Sequence, residues 1–393
     1  MLYNRTRIIE ILCFLFISIG CVKETNRFSS DWIDVDVLKG EMKRKNLQLQ
    51  EFMDVEYIPL ETTDEFVNQG VVQCIGKEYI LVKNINNSDG NIYVYDKTGK
   101  ALRLINRKGL GGEEYSNVSK IILDESRNEI YIHDHFQRKI QIYDLFGVYQ
   151  RSLYYKEHTN GGAYTDIVNY DGENLLCFNE FSEDRLFVLV SKHDGSIVRE
   201  FEIPTKQTLF LLQQQISEKT GGLNVTGPGF YSTIIPYNKE NILLDLSSDT
   251  IYTISSDNKL KPFIVRTPQI ESMDPKIYLI LRLVTNNYIF METIKNEFDW
   301  SKDDGFPRKY FMYDIRQREL FEYRISNGDY VCDKEFYMSI PRYINPDGEL
   351  CQTLPAHQLV EAYDKGELKG RLKEIAAVLD EDSNPVLMLI KHK

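Results

Sequence analysis

One short unit recurs along this chain and restricts its fold more than any other feature. Its first copy is NIYVYDKTGK, Asn91 to Lys100: an apolar and aromatic strand, an Asp, a tight turn and a restart. IQIYDLFG at Ile140 to Gly147 repeats it closely. Looser copies stand at Leu186 to Gly195, Thr250 to Asn258 and Lys309 to Gln317. Strands of alternating apolar residues cut by Asp and Gly read as antiparallel hairpins, with Asp96 and Gly99 there to make the turn. The first two copies lie about 48 residues apart, the period of a four-stranded propeller blade.

Strand patterns group in fours around these copies. The first group is Val71 to Ile75, Tyr79 to Lys83, Ile92 to Tyr95 and Ala101 to Ile105. The second runs from Val118 to Leu153, the third from Tyr164 to Ile203, the fourth from Phe230 to Val265 and the fifth from Tyr278 to Arg324. A sixth begins near Tyr330 and includes Glu335 to Ile340. Leu209 to Thr220 reads as a short helix or an ordered insertion, and Lys43-Arg44-Lys45 as a solvated loop. Leu368, Leu372, Ile375 and Leu379 share one helical face, and Asn384-Pro385 ends that helix. The last apolar run, Pro385 to Lys391, is a buried strand. With Val55 to Leu60 it can complete the sixth group, so that strands from both chain ends leave no open edge. The expected fold is all-β: a six-bladed β-propeller of four-stranded antiparallel blades over residues 32–393, closed by N- and C-terminal strands, with a short C-terminal helix before the last strand.

The N-terminus reads as an address. Arg5 and Arg7 precede the apolar stretch Ile11 to Ile19, which is short for a membrane span, and Gly20-Cys21 follows. This order resembles the lipobox of bacterial lipoproteins, with Ser18 where that pattern prefers Leu. It makes residues 1–20 a signal peptide, Cys21 the lipidated first residue of the mature protein and residues 21–31 a polar tether. Cleavage by ordinary signal peptidase is the alternative. The expected location is the cell envelope, as an outer-membrane lipoprotein held to the membrane through its lipid, on the periplasmic or the surface side.

Longer pieces resemble a known family. VEYIPLETTDE (Val55 to Glu65), INRKGLGGEEY (Ile105 to Tyr115), NEIYIHDHFQRKIQIYDLFG (Asn128 to Gly147) and LKEIAAVLDEDSNPVLMLIK (Leu372 to Lys391) are similar to the 6-bladed β-propeller lipoproteins of Bacteroides and relatives, a branch near the NHL-repeat propellers. Leu110-Gly111-Gly112 departs from the family, which often has a Pro among these glycines. The resemblance implies the fold and an envelope location, and it implies no reaction.

Candidate chemistry is sparse. The net charge of −12 and the lack of a long basic run exclude an electrostatic grip on nucleic acid. No cysteine pair has zinc spacing; Cys74 and Cys177 sit in strand patterns and read as buried thiols. No GxSxG, HExxH or SxxK occurs, no catalytic residue is assigned, and no cofactor or metal site is expected. His133 and His135 face one side of a strand, as a metal pair would, but Asp134 between them is better placed to support a turn. The loops Gly111 to Val118, Gly161 to Ile167 and Gly227 to Ile234 each put glycines and an aromatic before the first strand of a blade. Their shared role is to turn the chain from one blade into the next. Their functional reading places Arg107, Lys108, Glu113 and Tyr115 at a channel mouth, as ligand-binding residues. Asp166, Asn169 and Glu292 lie on or beside strands with nothing to single them out. The function expected is a ligand- or protein-binding, or scaffolding, module, with a protein or a glycan as possible ligand. The alternative is a propeller hydrolase or lyase with a divalent metal, which calls for three or more carboxylates or histidines converging in the channel.

Overall fold

In the computed structural model, residues 32–85, 89–155, 163–182, 187–217, 221–229, 231–302, 304–332, 334–338, 343–345 and 349–393 are described. The signal, Cys21 and the tether lie outside them. Residues from Trp32 to Lys393 form one compact unit. Six sheets follow one another in a ring. Blade one is Val71–Ile75, Tyr79–Lys83, Asn91–Asp96 and Ala101–Asn106, hydrogen-bonded in that order. Blade two (Lys120–Asp124 to Tyr149–Tyr154) and blade three (Asp166–Asn169 to Ile197–Phe201) repeat the meander. Blade four runs from Ile234–Tyr237 to Leu260–Thr267 and blade five from Ile277–Val284 to Glu319–Ser326. Blade six is made of Tyr343–Ile344, Leu350–Leu354, Val386–His392 and Met53–Pro59, so both chain ends contribute to it. Met388 pairs with Tyr57 and Ile390 with Val55, antiparallel, which is the closure expected from the sequence.

The recurring unit is the turn between the third and fourth strands. The Asp96 carboxylate accepts from the Thr98 amide at 2.8 Å and the Lys100 amide at 3.1 Å, and Asp144 does the same for Phe146 and Val148. Gly99, Gly147, Gly195, Asn258 and Arg318 occupy the left-handed position in successive copies, with φ of 86°, 79°, 75°, 61° and 54°. Gly99 is held to glycine on a second count, because a Cβ there would stand 2.1 Å from the Pro59 carbonyl oxygen of the closing strand.

The core is distributed around the ring. Each of six apolar clusters fills the gap between neighbouring blades, from Ile92, Ile121 and Tyr143 between blades one and two to Ile58, Tyr95 and Leu387 between six and one. Strands buried on both faces read as near-continuous apolar runs, and the burial of Tyr93, Val94 and Tyr95 in succession shows why.

Two expectations are corrected and two are sharpened. Of the two readings of residues 209–220 the ordered insertion holds: within the described residues Gln213–Ile216 pairs with Leu223–Thr226 in a two-stranded hairpin. Leu209 and Leu211 ahead of it pack into the cluster between blades four and five. Lys43 to Lys45 is not a loop, since Arg44–Gln48 adds in parallel to the outer edge of blade five. There Lys45 reaches Asp314 at 2.5 Å and lies over the Phe321 ring. Glu335–Phe336 belongs to blade five, pairing with Ile325 and Ser326, and not to blade six. The short helix expected before the last strand is present as Gly370–Ala376, and a second helix, Ala356–Asp364, precedes it. Leu368 stands between them and bridges to Tyr330, while Leu359, Leu372 and Ile375 enter the cluster between blades five and six.

Asn384 does more than stop a helix. Its buried side chain donates to the carbonyls of Glu61 and Phe66 and accepts from the Asn68 amide, pinning the link between blades six and one. Leu387→Ala, which empties part of that interface, is expected to lower unfolding free energy in urea by about 2–5 kcal/mol. Ile216→Ser, on the exposed hairpin, is expected to shift it by less than about 0.5 kcal/mol.

Candidate functional site

The inner strands of the blades converge on a central cavity of about 610 Å³. Its wall takes residues from the start of successive inner strands, among them Val71 to Gln73, Ser119 and Lys120, Thr165 and Asp166, and Ser232 and Thr233. Arg282 of blade five, Thr353 of blade six, and Glu180 and Tyr231 complete its polar part. A strand start is where a propeller places side chains around its axis, and the short loops ahead of these starts fix their height.

Asp166 joins three blades. Its Oδ1 accepts from the Lys120 ammonium of blade two at 2.5 Å. Its Oδ2 accepts from the Thr233 amide, the Thr233 hydroxyl and the Ile234 amide of blade four, each at 3.1 Å. Burial pushes the Asp166 carboxyl up, but the Lys120 charge, its hydrogen bond and the blade-four donors outweigh burial and hold it below the usual carboxylate range. The ion pair therefore persists at neutral pH. Among the described residues, Lys120 spends one of its three N–H groups on Asp166.

A second charged group stands on blade five. Arg282 and Arg308 both donate to Oε1 of Glu292, which is fully buried; the Arg308 contact is 3.0 Å. The other Glu292 oxygen has no hydrogen-bond partner among the described residues. Glu292 thus fixes Arg282 from behind the cavity wall. On the wall of blades three and four the Tyr231 hydroxyl donates to Glu180.

The four loop residues proposed from sequence stand elsewhere. Arg107, Lys108, Glu113 and Tyr115 lie in the connection from blade one to blade two, and none lines the cavity. Tyr115 is buried: its hydroxyl donates to the Gly90 carbonyl at 2.7 Å and accepts from the Arg107 amide, and its ring packs on Tyr143. The Arg107 guanidinium donates to the Gly147 carbonyl, the Glu113 carbonyl accepts from the Tyr143 hydroxyl, and Lys108 and Tyr115 form a parallel bridge. The loop does the joining work assigned to it. Gly161 and Gly162 of the next loop lie outside the described residues.

Asp134 supports a turn, as its position suggested, accepting from the amides of Ser116, Asn117 and Gln137. Burial pushes the His133 imidazole down to about 3, with His135 and Lys120 adding to the effect and Asp134 opposing it. Among the described residues its Nε2 has no hydrogen-bond partner, and neither has the nearby Tyr155 hydroxyl. Among the described residues no three His, Cys, Asp or Glu side chains gather to hold a metal ion, and no helix is long and apolar enough to cross a membrane. Of Asp166, Asn169 and Glu292, Asp166 lines the cavity and Glu292 backs it, whereas Asn169 lines neither wall. The usable signal was positional: Lys120, Asp166 and Thr233 stand just past the aromatic of each Gly-rich loop.

The profile of the family described as Domain of unknown function (DUF4934) matches residues 33–391. The chain belongs to this family. Among solved structures, this DUF4934 chain is similar to a Bacteroides fragilis NCTC 9343 protein described as exported, at 15% identity and a TM-score of 0.57, over 92% of this chain and 99% of that one. It also matches a duf4221 family member from Bacteroides vulgatus, at 10% identity and a TM-score of 0.46, over 86% and 97% of the two chains. No curated protein matches its sequence. The first likeness shows the six-bladed fold and nothing of ligand or reaction.

The Asp166 pair yields a pH test. A carboxyl held low in the fold stabilises it above the unfolded-state pKa of about 3.9 and stops doing so as pH falls through its folded value. Asp166→Ala, which also strands three blade-four donors, is expected to cost about 3 kcal/mol at pH 7 in urea unfolding. That deficit should shrink as pH is lowered below about 4.

Proposed function

We propose that the protein is an exported, lipid-anchored binding module whose ligand enters the central cavity. One observation carries this reading: the six blades meet around a cavity of about 610 Å³ whose wall holds Lys120, Asp166, Glu180 and Arg282. Ligand pockets span roughly 300–1,000 Å³ and combine a largely preformed shape with a few convergent polar groups. Here those groups are fixed in advance. Asp166 is held by blades two and four, and Arg282 is oriented by Glu292. A preformed wall loses little entropy when it binds, which favours recognition of a small molecule or of a short segment of a partner.

Export and anchoring rest on other features. The basic start, the short apolar run and Gly20-Cys21 suit lipoprotein processing, and the similar Bacteroides fragilis protein is described as exported. Acyl chains on Cys21 contribute about 0.8 kcal/mol per buried CH₂, enough for several chains to hold the domain at the outer membrane. The tether of residues 21–31 then links the lipid to the ring. The rival enzymatic reading needs a convergence of carboxylates or histidines, and no observation on the described residues favours it.

Two measurements test the proposal. Intact mass of the mature protein is expected to show acyl chains on Cys21, and Cys21→Ala to move the protein into the soluble fraction; an unmodified mature N-terminus refutes the anchor. For binding, a metabolite library screened by thermal shift is expected to contain a ligand that stabilises the wild type by about 2.7 kcal/mol at a hundred times its Kd. Ser232→Trp, which fills the cavity from blade four, is expected to abolish that shift while leaving the unliganded melting temperature within a few degrees.

A further inference from the structure

The cavity wall mixes charged and polar side chains with apolar ones such as Val71, Val72, Leu281 and Leu350, and further apolar groups stand exposed beside it. Ile85 lines it and is nevertheless 65% exposed. Phe181, next to the lining residue Glu180, is 64% exposed and stacks on Phe210 with ring centroids 6.1 Å apart. Phe210 stands at the foot of the hairpin that leads towards Tyr231, another lining residue. The hairpin continues the rim. Side chains alternate across a strand, so Gln214 and Ile216 share a face with Leu223 and Val225, and Gln213, Gln215, Asn224 and Thr226 share the other. Gln213, on the polar face, donates to the Asn296 carbonyl at 2.7 Å. Ile216, Leu223 and Val225, on the apolar face, are all exposed. Gln215 and Asn224 on the other face are exposed too, so the hairpin leaves its apolar side chains to solvent. Exposed apolar groups gathered beside a cavity mark a binding surface more often than scattered ones do.

Inside, the lysine sets the chemistry of the head group. Asp166 is an acceptor already engaged on both oxygens and has no donor to give a ligand, whereas Lys120 keeps two N–H groups unspent among the described residues. Ser232 lies on the same wall, three residues from the Ile234 amide that holds Asp166 when both ends are counted. The wall between blades two and four therefore donates hydrogen bonds to an acceptor, and a positive charge stands behind that donation.

Resting on the cavity reading above, we infer that the ligand is an amphiphilic carboxylic acid, its carboxylate on Lys120 and its apolar chain across Ile85, Phe181 and Phe210. The head group is recognised by a charge-assisted hydrogen bond and the chain by area removed from water. Neither part alone gives a firm hold. Affinity is expected to rise with chain length for as long as the rim has apolar surface to cover.

Isothermal titration of the full mature chain with butyrate, octanoate, decanoate and decanol, each below its aggregation threshold, tests the inference. Decanoate is expected to bind at least tenfold tighter than butyrate and at least tenfold tighter than decanol. Lys120→Gln is expected to remove the preference for decanoate over decanol, and Lys120→Arg to retain it. Ile85→Ser with Phe181→Ser is expected to flatten the chain-length series and leave butyrate unchanged. Equal binding of decanol and decanoate, or no gain with chain length, overturns the inference. Decanoate failing while another ligand binds in a Ser232→Trp-sensitive way also overturns it and leaves the cavity reading standing. If no ligand of any kind shows that sensitivity, both fall. Adsorption of the Cys21→Ala chain to phosphatidylcholine vesicles without decanoate binding assigns the apolar rim to a membrane surface and overturns it as well.

Discussion

The pairing of Met53–Pro59 with Val386–His392 is the contact on which the ring depends. Every other blade is a local meander, and its strands find one another across short turns. Blade six needs strands separated by almost the whole chain. The loop entropy of that pairing is offset by burial on both faces, since Ile58, Leu387 and Leu389 pack towards blade one while Met53, Met388 and Ile390 pack towards blade five. Asn384 adds fixed hydrogen bonds at the seam. A ring closed in this way has no free sheet edge inside it, and the cavity exists because the six inner strands cannot drift apart.

Two further strands from the N-terminal segment brace the outside. Ile33–Asp36 lies parallel to the outer strand of blade four, and Arg44–Gln48 lies parallel to that of blade five. Both cover edges that would otherwise offer open backbone groups to another chain. Val35 and Val37 join the cluster between blades four and five, in which Leu209 and Leu211 at the foot of the exposed hairpin also pack. The segment from Ile33 to Gln48 is thus built into the ring before the chain reaches its closing strand.

Much of the fold was legible because a blade repeats its covalent needs. The tight turn reappears wherever a third strand ends, and the apolar runs reappear because the inner strands of a blade are covered on both sides while the outer ones, such as Ala101–Asn106, are not. Lys43 to Lys45 misled because charge suggests solvent, whereas Lys45 is neutralised by Asp314 and lies on Phe321. The hairpin of Gln213–Ile216 and Leu223–Thr226 was unreadable as strand for a related reason: Ile216, Leu223 and Val225 are exposed and only Gln213 and Thr226 at its foot are partly buried, so burial gives no guide. The cavity residues were hidden by a different cause. Lys120, Asp166, Ser232 and Arg282 share a place in the ring but not a residue type, so a search for repeats passes over them. The loop at Arg107 to Tyr115 attracted attention because it repeats, and repetition marks what blades have in common, which is joining.

That distinction explains how a uniform scaffold acquires an asymmetric centre. Asp166 takes a blade-two donor on one oxygen and three blade-four donors on the other, so it cannot rotate to follow a ligand. Its charge is consumed in fixing three blades relative to one another. Among the described residues Lys120 is thereby held by one bond with two N–H groups left over, and Arg282 is held by a carboxylate that does not itself line the cavity. Of the acids at this centre, Asp166 is tied to blades two and four and Glu180 to Tyr231, while Glu292 stands behind the wall. In a chain of net charge −12 the acids here are thus engaged with neighbouring side chains and backbone, and the cavity wall keeps hydrogen-bond donors of its own.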